Sequence, residues 1–91
     1  MHLCYTIRVF GKVQGVFYRK STRNQAIHHN ILGTVRNLDD GSVEIRAVGT
    51  KEDLDSFLSW CKIGPSGAIV ERLDYKAVNA IPDFSSFEIS Y

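Results

Sequence analysis

The sequence has little of what marks a specialised class of protein. It holds two cysteines, Cys4 and Cys61, in 91 residues. Two lone cysteines make neither a zinc cluster nor a CxxC redox motif, so thiolate-metal and disulfide-scaffold proteins drop out. No apolar run approaches the ~18 residues of a membrane-spanning helix. The opening "MHLCYTIRVFG" lacks the basic region, apolar stretch and small-residue cleavage site of a secretory leader. Charge of one sign is not in excess: 11 Lys and Arg face 10 Asp and Glu, for a net +1. A generic nucleic-acid surface needs a strong basic excess, so that class is disfavoured. Repeats and low-complexity segments are absent as well. The expectation is one cytoplasmic domain spanning residues 1–91, with free thiols, a modest core and little room for a deep pocket.

What is present is a clear alternation of elements. Leu3, Tyr5, Ile7 and Val9 alternate with Cys4, Thr6 and Arg8, which predicts a strand with one buried face, ended at Gly11. "STRNQAIHHN" reads as a helix with a thin stripe of Thr22, Ala26 and His29, and with Asn30 as a left-handed cap. Residues 33–38 read as a second strand. "DDGS" is a hairpin signal, because Asp-Gly tolerates the positive φ of such turns. Val43, Ile45 and Ala47 continue as a third strand. "TKEDLDSFLSWCK" has a Thr cap, acids in its first turn, and Leu54, Phe57, Leu58 and Cys61 on one face. After the loop "IGPSG", "AIVERLDYKAV" is a fourth strand, "NAIPD" turns, and "FSSFEISY" is a short last strand. Right-handed crossovers and one hairpin arrange βαββαβ plus a terminal strand as a ferredoxin-like α+β sandwich. Its sheet is mostly antiparallel and both helices lie on one face. Such a fold hosts many functions and does not choose among them.

The choice rests on "GKVQGVFYRK", residues 11–20. It joins the first strand to the first helix, where backbone N–H groups have no ladder partner and meet the orphan amides of a helix start. Gly15 permits a left-handed turn or close approach of a ligand. Arg19 follows with a planar fork matched to phosphate. On composition alone the stretch reads more readily as a solvated Gly-rich loop, since such loops are common before helices. Asn37 adds a second element. The first two strands run parallel in this topology, so Asn37 ends at the same rim as residues 14–19. Its amide can hold a water. Alone it is also a plausible residue before the hairpin.

"GKVQGVFYR" followed by "GTVRNLDDGSVEI" resembles the acylphosphatase signature, and the resemblance runs on through "VERLDY" to "FEISY". It implies a small hydrolase that cleaves the carboxyl-phosphate bond of acyl phosphates without metal or cofactor. Arg19 and the backbone amides of Gln14, Gly15, Val16, Phe17, Tyr18 and Arg19 would hold the phosphate, and Asn37 would orient the attacking water. Inorganic phosphate would be product and competitive inhibitor. A monomer binding neither nucleic acid nor membrane is expected. Three departures from the family pattern stand out: Tyr18 in place of Phe, Thr34 in place of a large aromatic, and His29-Asn30 in place of Leu-Gly.

An amide cannot act as a base near neutral pH, so a phosphate oxygen is expected to take the water's proton. His2, His28 and His29 are placed away from the loop and read as structural. Asp39 and Asp40 read as turn residues, and Lys20 as a solvated cation beside Arg19. The alternatives are a non-catalytic ferredoxin-like module for a small ligand or RNA, and an acylphosphatase-like domain of a larger carbamoyl-transferring maturation protein. RNA binding is disfavoured because the outward residues Cys4, Thr6, Arg8, Glu44 and Arg46 hold no aromatic pair. The cysteines are expected to lie at opposite rims, roughly 20 Å apart by strand rise, with Cys61 buried and Cys4 the more accessible.

Overall fold

The structure is a computed structural model describing residues 2–79 and 81–91; Ala80, within the expected turn at 79–83, lies outside the described residues. The elements are β1 (Leu3–Lys12), α1 (Tyr18–His28), β2 (Leu32–Asn37), β3 (Val43–Gly49), α2 (Lys51–Cys61), β4 (Ile69–Val78) and β5 (Phe87–Ile89). The sheet order is β4-β1-β3-β2-β5. β1 pairs antiparallel with both β3 and β4, and β2 antiparallel with β3, while β2 and β5 are parallel. This is the ferredoxin-like sandwich expected from the order of elements.

Alternation sets the two faces. Tyr5, Ile7 and Val9 of β1, Val35 of β2 and Val43, Ile45 and Ala47 of β3 are buried in one core. α2 closes that core with Leu54, Phe57, Leu58 and Cys61, the stripe seen in the sequence. α1 contributes Tyr18, Thr22 and Ala26 at a spacing of four, which keeps them on one face. His29 is only half-buried and stands at the C-cap, so the stripe ends one turn earlier than the sequence suggested. Asn30 is left-handed at φ 59°, as a residue just past a helix end should be.

Three differences from expectation have physical causes. α1 begins at Tyr18, three residues earlier than the Ser21 start. Its first turn carries no capping side chain or acid, so the usual start signals are missing. β5 is confined to Phe87–Ile89, because the preceding residues turn, with the Phe84 N–H donating to the Pro82 carbonyl at 3.1 Å. Cys4 corrects the expectation of an accessible thiol: its relative exposure is 0%. It sits on central strand β1 between Val48 of β3 and Val78 of β4, and flanking valines cover a side chain this small even on the open face. Both cysteines are free, and burial pushes both thiols above their ordinary value.

Candidate active site

β1 and β2 both run antiparallel to β3, so their C-terminal ends share a rim. From that rim the chain leaves β1 through Val13, Gln14, Gly15, Val16 and Phe17 and enters α1. Two residues of this loop are left-handed. Gly15 has φ 73°, which costs glycine nothing, but Phe17 has φ 61° and serves as the N-cap of α1. A left-handed non-glycine carries strain of order 1 kcal/mol or more. Phe17 is 78% exposed, so core burial does not explain its conformation. Left-handed residues of this kind occur in the backbone nests that hold anions.

Among the described residues, no backbone N–H from residue 14 to residue 19 donates to a protein acceptor; the first hydrogen bond of α1 runs from Ser21 N–H to the Phe17 carbonyl at 3.0 Å. The loop borders a cleft of about 290 Å³ lined by Val13, Gly15, Phe17, Tyr18, Arg19 and Lys20 on its side, with Asn37, Ile89 and Tyr91 opposite. Arg19 pairs with no carboxylate among the described residues, whereas Arg8, Arg36 and Arg72 each do. Its guanidinium carbon lies 4.8 Å over the ring of Tyr91. That stacking restrains the side chain and leaves its in-plane donors free.

Asn37 is the last residue of β2 and looks into the same cleft. Its Oδ1 is buried and accepts no hydrogen bond within the protein. A buried unsatisfied acceptor costs free energy, and in native structures it asks for a reason. Here it is an acceptor on the same cleft as Arg19 and Lys20, whose side chains can only donate.

The structure thus brings Arg19, Asn37, Gly15, Phe17 and Tyr18 together around one cleft. Two of the expected loop residues turn their side chains elsewhere. Val16 packs against the core, and the Gln14 side-chain amide donates to the carbonyls of Leu38 and Ser42, both at 2.9 Å. Tyr18 is 1% exposed, and its hydroxyl donates to the Cys61 carbonyl at 2.8 Å. The hydroxyl added at this position thereby has its partner, and burial, chiefly, raises its pKa far above the ordinary value.

Asp40 is a turn residue: its carboxylate accepts from the Ser42 N–H at 2.9 Å and from Arg8 at 2.9 Å. These contacts, those from Ser42 foremost, hold its carboxyl below the usual range. His28 and His29 lie at the far end of α1 and do not line the cleft. Among the described residues no three His, Cys, Asp or Glu side chains converge as a metal site would require. Sequence reasoning missed Tyr91. The signal for it was the short last strand: β5 runs parallel to β2, and Ser90 N–H donates to the Val35 carbonyl at 2.8 Å, which carries the next residue to the rim of Asn37.

Fold and cleft define a small α+β domain with an unpaired arginine, loop N–H groups without protein acceptors and an unsatisfied amide oxygen gathered at one rim of its sheet. The acylphosphatase family profile matches residues 5–89. An acylphosphatase of Syntrophus aciditrophicus is 42% identical over 85 residues, covering 93% of this chain and 88% of the relative. The crystal structure of acylphosphatase from Bacillus subtilis superposes with a TM-score of 0.95 at 35% identity, covering 98% of this chain and 99% of that one. The T. kodakarensis HypF structure contains a similar unit, with a TM-score of 0.85 at 30% identity over 98% of this chain and 12% of that one. The chain belongs to the acylphosphatase family and is an enzyme of that class.

Proposed function

We propose that residues 1–91 act as one acylphosphatase-like domain, hydrolysing acyl phosphates by in-line attack of a water that Asn37 orients on a phosphate held by Arg19 and the loop amides. The observation that carries this reading is one cleft that gathers Gly15, Phe17 and Tyr18 of a loop whose N–H groups donate to no protein acceptor, the unpaired Arg19 and the unsatisfied Asn37 Oδ1. The phosphoryl oxygens take the amides and the guanidinium as preorganised partners for charge that spreads in the transition state. Asn37 Oδ1 accepts one water hydrogen and aims the water oxygen at phosphorus. The new P–O bond forms as the P–O bond to the acyl group breaks, and the acyl group leaves as a carboxylate. The proton lost by the water passes to a non-bridging phosphate oxygen, so the product is inorganic phosphate and no protein base is used. The carboxylate is a good leaving group, which is why so few side chains suffice.

Every group in this scheme comes from one chain, so a monomer is sufficient for the reaction. The two free thiols fit a reducing, cytoplasmic setting. An RNA-binding role is less well supported. The open face does carry aromatics, but arginines cover them: Arg72 lies 4.0 Å and Arg8 5.7 Å from the Phe10 ring centre, and Arg46 lies 5.7 Å from that of Phe84.

Turnover of benzoyl phosphate, followed by absorbance, tests the reading. Asn37→Ala should lower kcat by roughly 10²-fold or more, while competitive inhibition by inorganic phosphate stays near that of the parent. A variant that retains most of its turnover would remove Asn37 from the mechanism.

A further inference from the structure

The reaction needs a fixed distance between two parts of the chain that are remote in sequence. The anion loop follows β1, whereas Asn37 ends β2, and a loop rich in left-handed residues has no ladder to hold it there. One side chain bridges them. Gln14 Nε2 donates to the Leu38 carbonyl and to the Ser42 carbonyl, both at 2.9 Å, across 24 and 28 residues of sequence. Both of its amide hydrogens are therefore committed to the β2–β3 hairpin. Leu38 is the residue directly after Asn37, and Leu38 N–H donates to the same Ser42 carbonyl at 2.8 Å.

The far end of the bridge is itself restrained. Ser42 is 1% exposed. Its N–H and hydroxyl both donate to Asp40 Oδ1, and Arg8 joins Asp40 Oδ2 at 2.9 Å to the Ser42 hydroxyl at 3.2 Å. The hairpin tip is thus a small rigid body, and Gln14 ties the anion loop to it. No other side-chain hydrogen bond joins the loop residues 13–17 to the hairpin among the described residues.

We infer that Gln14 is a positioning residue for catalysis: its side-chain amide sets the separation between the phosphate held by the loop and the water held by Asn37. The inference rests on the reading of Asn37 given above. It separates two functions within one residue, since the Gln14 backbone N–H belongs to the anion cradle and its side chain does not. Removing the side-chain donors should leave phosphate binding near normal and lower turnover, because a misplacement of about 1 Å can cost on the order of 10²-fold in rate.

A double-mutant cycle on the intact chain tests it, with single-turnover hydrolysis of benzoyl phosphate and inhibition by inorganic phosphate as readouts. Gln14→Met keeps the length of the side chain and removes both donors; Gln14→Ser, which leaves space for a water, is the second variant should the first fold poorly. Far-UV circular dichroism at the assay temperature establishes folding. The expected result is a fall in turnover of roughly tenfold or more in the parent, a phosphate inhibition constant within about threefold, and a fall of under about twofold when the same change is made in Asn37→Ala. An equal fall in both backgrounds would show that Gln14 acts on the fold or the cradle and not through Asn37, and would overturn the inference. If Asn37→Ala alone leaves turnover intact, the reading of Asn37 fails first, and that outcome is seen in a different variant.

Discussion

The two helices have 11 residues each and begin in opposite ways. α2 starts with Thr50, whose hydroxyl accepts from the Asp53 N–H at 3.2 Å, and carries Glu52 and Asp53 in its first turn. Cap and acids complement the positive end of the helix dipole. α1 starts with a left-handed Phe17, has no side-chain cap and no acid, and puts Arg19 and Lys20 where the dipole disfavours cations. By ordinary stability reasoning α1 is the worse start, by about 1 kcal/mol for the missing cap and ~0.3–1 kcal/mol for each cation. On the function proposed above, the difference separates a terminus satisfied by its own chain from one kept for an anion. What offsets the deficit is local: Tyr18 is buried, hydrogen-bonded to Cys61 and tilted against Trp60 at 5.7 Å between ring centres.

The largest expected effect comes from disabling the α1 terminus. Arg19→Lys keeps the charge and loses the fork. Turnover of benzoyl phosphate should fall by roughly 10²-fold, and phosphate inhibition should weaken with it, while the melting temperature stays within a few degrees. Phosphate inhibition equal to the parent would place the anion elsewhere. A smaller change makes α1 resemble α2. Lys20→Glu supplies the absent first-turn acid, so stability should rise by a few tenths of a kcal/mol. Phosphate inhibition should weaken about fivefold, roughly 1 kcal/mol. Denaturant melts and inhibition kinetics read the two effects on the same sample, and a variant that gained stability with no loss of phosphate affinity would break the proposed trade.

The converse change at α2 should touch stability alone. Thr50→Ala removes the cap and should cost about 1 kcal/mol, or ~4–8 °C in Tm for a domain of this size, with kcat unchanged. A drop in kcat would mean that α2 also serves the site. The smallest effect is expected at high pH. Burial raises the Tyr18 phenol and the Cys61 thiol above ordinary values of 10.0 and 9.0, so both stay neutral when folded and ionise when unfolded. Their contribution to stability is therefore full below about pH 9 and is lost progressively as pH rises beyond it. Tyr18→Phe should cost about 1 kcal/mol at neutral pH through the lost hydrogen bond and make the alkaline decline shallower. Chemical melts between pH 7 and pH 11 check the slope.

Much of this contrast was legible in the sequence. Thr50 followed by two acids and an apolar stripe announces α2, and the Asp-Gly pair announces the hairpin, whose Gly41 takes φ 91°. Arg19 and Asn37 were legible because motif spacing and strand direction together bring them to one rim. What escaped depends on partners distant in sequence. The start of α1 carries none of the signals of a self-satisfied terminus. Cys4 is covered by Val48 and Val78, whose adjacency follows only from the final strand order. The Gln14 clamp and the Tyr91 stack each need a partner placed by another strand. Local chemistry is written locally, whereas the side chains that hold the site together are fixed by register.

The central claim is that the α1 terminus, and not the α2 terminus, is the anion site, and titration with inorganic phosphate followed by amide proton–nitrogen NMR tests it most directly. The account predicts that the amides of residues 14–19 and the Asn37 side chain shift together with a single dissociation constant equal to the phosphate inhibition constant, while the amides of residues 51–54 stay in place. Saturable shifts centred on residues 51–54, or none in the loop at phosphate concentrations that inhibit hydrolysis, would contradict it.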